Sequence, residues 1–426
     1  MHKIERLLQT LAPKGVEFRK LGEVCDFQNG FAFQRKNFRN TGLPIIRISN
    51  IQNDRLLLDE VIYFSLNDYK GTNFEPFKIT KGDILIAMSG ATTGKIGILT
   101  FDTTLYLNQR VGKFKPNMMK LNNKFLYYFL LTKINFLYSL AGGGAQPNLS
   151  STKILQQITI PIPPLEIQQE IVKILDAFTE LNTELNTELK ARKKQYQYYQ
   201  NMLLDFNDIN SNHQDAKEKL AQKTYPKNLK TLLQTLAPKG VEFRKLGEML
   251  EYDQPNKYCV TSKEFDKSYP TPVLTAGKTF ILGYTNEKDN IYQASKSSPV
   301  IIFDDFTAAT QWVDFPFKVK SSTMKILLPK NPTINIRFIF FYMQTIPYNI
   351  SGEHTRQWIS RYSQITIPIP PLEIQQEIVK ILDQFLALTT DLLAGIPAEI
   401  KARKKQYEYY REKLLTFKPL QNKAKL

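Results

Sequence analysis

The sequence predicts an α+β protein built twice. Two globular heads are joined by two long helices that pair as an antiparallel coiled coil, and the halves are related by pseudo-two-fold internal duplication. Three observations lead there. Residues 157–176 and 364–383 carry the same twenty letters, QITIPIPPLEIQQEIVKILD, which shared composition cannot produce. LLQTLAPKGVEFRKLGE opens each copy, at 7–23 and 232–248, and KARKKQY recurs near the end of each, at 190–196 and 401–407. Each exit segment runs into helical apolar spacing, whereas the residues between the shared flanks form short β-type runs.

Composition agrees with two units. A chain of 426 residues fits two or three domains at about 100–200 residues each. The formal charge of +17, from 57 Lys and Arg against 40 Asp and Glu, points to an anionic partner, with nucleic acid favoured over a membrane surface. No run approaches the roughly 18 apolar residues of a membrane span, candidates such as PVIIF at 299–303 and FIFFYM at 338–343 being far too short. The start, MHKIERLLQT, lacks the apolar core of a signal peptide. Cys25 and Cys259 occupy unequal places in the two copies, so reduced thiols and a cytoplasmic location are expected. With His2, His213 and His354 scattered along the chain, no dedicated metal site is expected.

Taken in order, the first copy has a short helical start, a turn at Pro13–Gly15, and a mixed region from Val16 to about Ile160 with strand-like LPIIRIS, GDILIAM and GKIGILT. KFLYYFLLTKINFLYSL (124–140) is apolar nearly all round and predicts one helix buried against a sheet. GGGAQPNLS (142–150) predicts a loop. After Pro161, Pro163 and Pro164, no Pro or Gly occurs until Pro226. Ile171, Leu175, Phe178, Leu181, Leu185, Leu189, Tyr196, Tyr199 and Leu203 recur at three- and four-residue steps, predicting one helix from about Leu165 to Phe206. It would be about 60 Å long, and a stripe of that length needs a partner. Residues 372–417 supply one through Ile378, Leu382, Phe385, Leu388, Leu392, Tyr407, Tyr410 and Leu414. A whole head lies between the two stripes, which requires an antiparallel pair.

Two details refine the helices. Thr179–Lys190 reads TELN TELN TELK, and the second helix has four more residues than the first between KILD and ARKKQY, since Asp383 to Ala402 is 19 steps and Asp176 to Ala191 is 15. Four residues add about 6 Å, close to one turn, so such an insert lengthens the rod while nearly preserving its apolar face. Gly395 and Pro397 predict a kink or break. The linker NDINSNHQDAKEKLAQKTYPKNLK, 207–230, is polar and is expected to be exposed.

This plan resembles the specificity subunit of type I restriction-modification systems: a variable region, IPIPPLEIQQEIV with its long TELN-bearing helix, a second variable region and a second copy of the helix. GDILIAMSGATTGKIG (82–97), GGGAQPNLS and FDDFTAATQWV (303–313) also resemble segments of that family's recognition domains. The resemblance implies a target recognition domain at 1–164 including the shared N-terminal segment, a central conserved spacer helix at 165–206 and a linker at 207–231. It further implies a second recognition domain at 232–370, a C-terminal conserved spacer helix at 371–417 and a tail at 418–426. It implies a non-catalytic subunit that reads a bipartite, asymmetric target in double-stranded DNA. The partners implied are two methyltransferase (modification) subunits and two restriction/translocase subunits, with S-adenosylmethionine, ATP and Mg on those partners and no cofactor on this chain. The alternative is a free-standing two-headed repressor or architectural protein.

Three segments superficially suggest chemistry of the chain's own. GATTGK (90–95) is one residue short of a phosphate loop, and Ile96 stands where the magnesium-binding hydroxyl belongs. IPPL lacks the Asn or Asp before the prolines, and the aromatic after them, that an adenine methyltransferase needs, so it reads as a helix start. Asp304 and Asp305 have no Glu-x-Lys beyond them, which favours a turn or DNA-distal surface over a nuclease site. No catalytic residue is assigned. For DNA contact, Arg, Lys, Asn, Gln and Thr near turns are the suitable groups. In the first head these are Gln34, Arg35, Lys36, Arg47, Asn50, Thr92, Thr93, Lys95, Asn108, Gln109 and Arg110. In the second they are Lys278, Tyr284, Asn286, Thr307, Thr310, Gln311, Arg356 and Gln357. Trp312 and Trp358 read as core or rim aromatics. The runs Arg192–Lys194 and Arg403–Lys405 fit a DNA-phosphate contact, a solvated face or a partner contact equally well. Tyr196, Tyr198, Tyr199, Tyr407, Tyr409 and Tyr410 exceed what one helix seam requires, which points to a further protein interface.

Overall fold

The computed structural model describes residues 2–52, 55–142, 147–210, 215–276, 279–347, 356–390 and 395–420. The chain divides into two units, Met1–Asn186 with Glu399–Leu426, and Thr187–Ala398. Each is closed by its own repeats. In the first unit Glu17–Lys20 pairs antiparallel with Thr159–Ile162, Glu17 opposite Ile162. In the second unit Glu242–Lys245 pairs with Thr366–Ile369 in the same register, Glu242 opposite Ile369. The opening and exit repeats are therefore the two strands of one ribbon. Pro161 and Pro368 are tolerated there because each strand of a two-stranded ribbon has a free edge.

A buried glutamine then fixes the exit helix to its head. Gln168 accepts the Asn122 N–H at 2.7 Å through Oε1, and its Nε2 donates to the carbonyls of Lys120 and Pro163. Gln375 does the same with the Asn335 N–H and the carbonyls of Thr333 and Pro370. Asn122 and Asn335 in turn cap the helices Asn123–Leu131 and Ile336–Met343 with their own side chains. Thus the identical frame grips two unlike heads at the same point. Replacing Gln375 by Leu strands one N–H and two carbonyls, and a stranded buried group costs about 1–3 kcal/mol. The expected result is a lowered melting temperature of the second unit, and an unchanged transition would show the clasp to be idle.

The heads share a topology despite their unrelated sequences. The main antiparallel sheet of the first runs Cys25–Asn29, Val111–Pro116, Ile84–Ala87, Ile96–Ile98. That of the second runs Leu250–Asp253, Met324–Pro329, Val300–Asp304, Thr310–Val313. A smaller sheet accompanies each, built on one parallel pair, Leu43–Ile46 with Leu105–Leu107 and Thr271–Leu274 with Lys318–Val319. The buried apolar faces of Ile84, Ile86 and Phe114 in one head, and of Ile301, Phe303 and Leu327 in the other, pack on the Asn-capped helix and on the start of the exit helix.

The central helix is continuous over Leu165–Leu204. The second is broken as expected, into Leu372–Thr390 and Ile396–Leu414, with Leu392 outside the described residues. Pro397 sits in the first turn of the later segment, where its missing N–H has no helical partner to lose. Ile171, Leu175, Ile378 and Leu382 are fully buried, while Leu185, Leu189, Tyr196 and Tyr407 are half-buried. The pairing is reciprocal. Phe178 stacks on Tyr410 at 5.5 Å and 25° in the first unit, and Phe385 stacks on Tyr199 at 4.9 Å and 24° in the second. As the position on the central helix rises from 178 to 199, its partner falls from 410 to 385, so the pairing is antiparallel.

Two expectations are corrected. Residues 124–140 form two helices, Asn123–Leu131 and Ile134–Leu140, because the Thr132 hydroxyl and N–H both donate to the Phe129 carbonyl and tighten the last turn. The linker is not simply exposed. It contains the helix Ala216–Gln222 and the start of Lys227–Leu236, buries Ile209, Leu220, Tyr225 and Leu229 in the second unit, and is pinned by Lys223 bridging Asp205 and Asp208. Its few apolar residues suffice to hold a polar segment down.

Candidate nucleic-acid interface

In the first head, four segments meet at one end of the main sheet. The turn Met88–Lys95 joins Ile84–Ala87 to Ile96–Ile98, and Gly90 and Gly94 adopt the positive φ values, 76° and 81°, that this tight path needs. The Thr92 hydroxyl donates to the Ile48 carbonyl at 2.9 Å, tying the turn to the Arg47–Asn50 loop. Lys95 Nζ donates to Gln52 Oε1 at 2.7 Å. The Gly90 N–H donates to the Pro147 carbonyl, and Arg110 Nη1 reaches Asn148 Oδ1 at 3.0 Å. Arg47, Thr92, Lys95 and Arg110 are therefore brought together, with Asn108 and Gln109 on the adjoining turn, whose Asn108 N–H donates to Ile46. This assembly gathers the cations of Lys95 and Arg110, held by side-chain amides, beside Arg47, whose guanidinium donates to the Glu60 carbonyl; cations and amides near turns are the groups that phosphate and base-edge contact uses.

The second head repeats the arrangement with other residues. Its equivalent turn, Asp305–Ala309, joins Val300–Asp304 to Thr310–Val313 and is tied to the segment entering the head's last helix, Gln357–Ser360. The Gln357 N–H donates to the Asp305 carbonyl at 2.7 Å, and the Trp358 N–H to Asp305 Oδ1 at 2.8 Å. Asp304 accepts from the Phe306 N–H and from the Thr307 hydroxyl. Thr307, Thr310, Gln311, Arg356 and Gln357 thus share one end of this sheet. Asp304 and Asp305 form the turn but are buried, not on a surface, and Asp305 faces the buried ammonium of Lys325 at 3.5 Å. Trp358 is a core residue, and half-buried Trp312 carries the Arg337 guanidinium at 4.4 Å.

Several expected residues lie elsewhere or are otherwise engaged. Asn50 is buried, accepting from the Arg47 N–H and donating to the carbonyls of Leu57 and Glu60, so it braces its loop and does not face a ligand. Thr93 is buried, with its hydroxyl donating to the Gly90 carbonyl. Gln34, Arg35 and Lys36 are exposed on a separate turn whose Gln34 N–H donates to the Tyr69 hydroxyl. Tyr284 is near the end of Ile281–Thr285 in the smaller sheet, Asn286 follows that strand, and Lys278 lies outside the described residues. Sequence reasoning missed Gln52 and Asn148, which hold Lys95 and Arg110, and Phe136 and Tyr138. The latter are 42% and 56% exposed on Ile134–Leu140, beside a cleft lined by Thr93, Lys95 and Asn135.

One carboxylate of the second head titrates abnormally. Burial alone would raise the Glu287 pKa, but the ion pair with Lys318 at 2.8 Å and the N–H and hydroxyl donors of Thr261 and Ser262 hold it at about 2, below its ordinary 4.5. A depressed folded-state value gives stability that is present above about pH 4.5 and lost as the pH falls towards 2. Urea midpoints measured across that window should fall steeply for the native chain and more gently for Glu287→Gln, and parallel curves would contradict the assignment.

The comparisons with known proteins bear directly on this geometry. The family model described as the type I restriction modification DNA specificity domain matches residues 13–195 and again 238–402, one match for each copy of the plan. The chain belongs to that family. Among its relatives, the type I restriction enzyme EcoR124I/EcoR124II specificity subunit of Escherichia coli is 54% identical over 188 residues, 42% of this chain and 45% of that protein. A putative type I restriction enzyme specificity subunit of Haemophilus influenzae is 34% identical over 72% of this chain and 77% of its own length. A putative type I specificity subunit of Mycoplasma pneumoniae is 25% identical over 93% of this chain and 96% of its own length. In fold, the chain is similar to the crystal structure of a type I restriction-modification S subunit from M. genitalium, with a TM-score of 0.56 and 17% identity over 94% of this chain and 96% of that one. Among the described residues no helix is long and apolar enough to cross a membrane, and no group of three or more His, Cys, Asp or Glu could hold a metal ion.

Proposed function

We propose that this type I specificity subunit reads a bipartite, asymmetric DNA target, one half with each head, and scaffolds two methyltransferase subunits and two restriction/translocase subunits. In this reading S-adenosylmethionine, ATP and Mg belong to the partners, and the chain acts in the cytoplasm. The observation that carries the reading is the pair of heads itself. Each places a turn of its main sheet against the entry to its last helix, inside identical frames, yet the turns carry different side chains. A constant frame with unlike faces is what two different half-sites require. The helices support the partner count. Tyr198 and Tyr409 occupy the same place in the two repeats and remain 62% and 58% exposed, each edge-on to its neighbouring tyrosine. Two like aromatic surfaces suit two copies of one partner. Methylation mapping of host DNA with and without the gene tests the reading: one bipartite adenine-methylated motif should vanish. Exchanging residues 24–156 for another head should change one half of it, and a change in both halves would refute the division of labour.

A further inference from the structure

We propose that Phe306 is a base-reading residue of the second head, its ring packing against the 5-methyl group of a thymine in that head's half-site. This rests on the reading of the heads as DNA readers. The turn Asp305–Ala309 corresponds to the turn Met88–Lys95 of the first head, joining the same two strands of the same sheet. In the first head that position is polar, with Thr92 and Lys95. In the second its tip carries a phenylalanine that is 37% exposed.

An exposed phenylalanine on a loose loop would mean little, but this one is held. Its own N–H donates to Asp304 Oδ1 at 3.0 Å, and the following Thr307 hydroxyl donates to the other oxygen of the same carboxylate. The Ala308 N–H returns to the Asp304 carbonyl at 2.9 Å, with Ala308 at φ 55°, a conformation that a residue with a Cβ adopts only when its surroundings impose it. Asp305 anchors the base of the turn to Trp358, Gln357 and Lys325. The scaffold therefore fixes the backbone that carries this ring, in a stretch whose next polar residues are Thr307, Thr310 and Gln311. The turn stands at the end of the hairpin Val300–Asp304 and Thr310–Val313, an outer pair of the main sheet, and in the major groove only thymine presents a methyl group. An apolar tip among polar neighbours thus has one preferred base feature.

The test uses the complex of the full chain with its methyltransferase subunits, bound to a duplex carrying the methylated motif. Each thymine of the second half is replaced in turn by uracil, which removes the methyl and keeps the pairing. One replacement should weaken binding about fourfold, the worth of one buried methyl-sized group. Phe306→Ala should bind the thymine and uracil duplexes alike, whereas Phe306→Leu should keep the preference. Both tryptophans lie in this unit, so unchanged tryptophan fluorescence verifies that the variants fold. A half-site without thymine, uracil tolerance at every position, or a thymine preference that survives in Phe306→Ala would each overturn the inference while leaving the heads as DNA readers. Failure of the native complex to distinguish the motif from a scrambled duplex would instead overturn the reading on which it rests.

Discussion

Asp305→Ala is expected to remove a large fraction of the stability of the second unit while sparing the first. Lys325 is buried, and its ammonium has three described neighbours: Asp305 Oδ2 at 3.5 Å, Gln254 Oε1 at 3.1 Å and the Tyr252 ring at 4.0 Å. Only the first carries a full negative charge. Removing one partner of a buried pair costs about 3–5 kcal/mol, because the other charge is left without compensation. Domains of this size are stable by about 5–15 kcal/mol in total, so the loss is a large fraction. The substitution also removes the acceptor of the Trp358 N–H, which ties the turn to the last helix of the head. Two controls separate these effects. Asp305→Asn keeps an acceptor and loses the charge, so it should fall between the native chain and alanine. Asp305→Ala with Lys325→Met removes the stranded ammonium as well and should recover part of the stability, in the manner of a double-mutant cycle. Tryptophan fluorescence against urea reads this unit alone, since Trp312 and Trp358 are the chain's two tryptophans. A transition of Asp305→Ala that coincides with the native one would show that the pair does not hold the head.

The frame was legible in the sequence for a physical reason. Helical periodicity, proline-free length and literal repetition are one-dimensional signals, and they gave the central helix to within two residues of its end. The break in the second helix was readable from Gly395 and Pro397, because their backbone chemistry acts locally. The ribbon between EFRK and TIPI was not, since pairing across more than a hundred residues leaves no local mark. The heads were less legible still. Their common topology follows from strand order, which unrelated side chains can satisfy equally well, so comparing letters showed nothing shared. Among candidate contacts, residue type alone could not separate Thr92 from Thr93. One ties its turn to a neighbouring loop and the other closes the turn on itself. Asn50 looked like a base reader and is a loop brace, because an amide suited to an adenine edge is equally suited to a buried backbone.

Deleting Thr183–Asn186, one TELN unit, is expected to abolish methylation of the native motif and to create methylation of a new one with the same half-sites and a shorter gap. Four residues remove about 6 Å of helix, a little under two base pairs at about 3.4 Å each. They turn the helix by about 400°, so the apolar stripe returns within about 40° of its place. Leu181, Leu185 and Leu189 repeat at four-residue steps and are only half-buried, so the seam can re-form with a leucine still facing inward. Longer-range register is less tolerant. The stacks of Phe178 on Tyr410 and of Phe385 on Tyr199 lie on either side of the deletion, and both are preserved only if the partner helix adjusts as well. The bend at Gly395, just before the helix that starts at Ile396, is where such an adjustment is expected. Stiffening that bend by Gly395→Ala together with Pro397→Ala should therefore make the deletion far more harmful than it is in the native background. Sequencing of methylated host DNA reads all of these outcomes. An altered half-site would show that the helix shapes recognition itself, whereas an unchanged motif would show that its length does not set the gap.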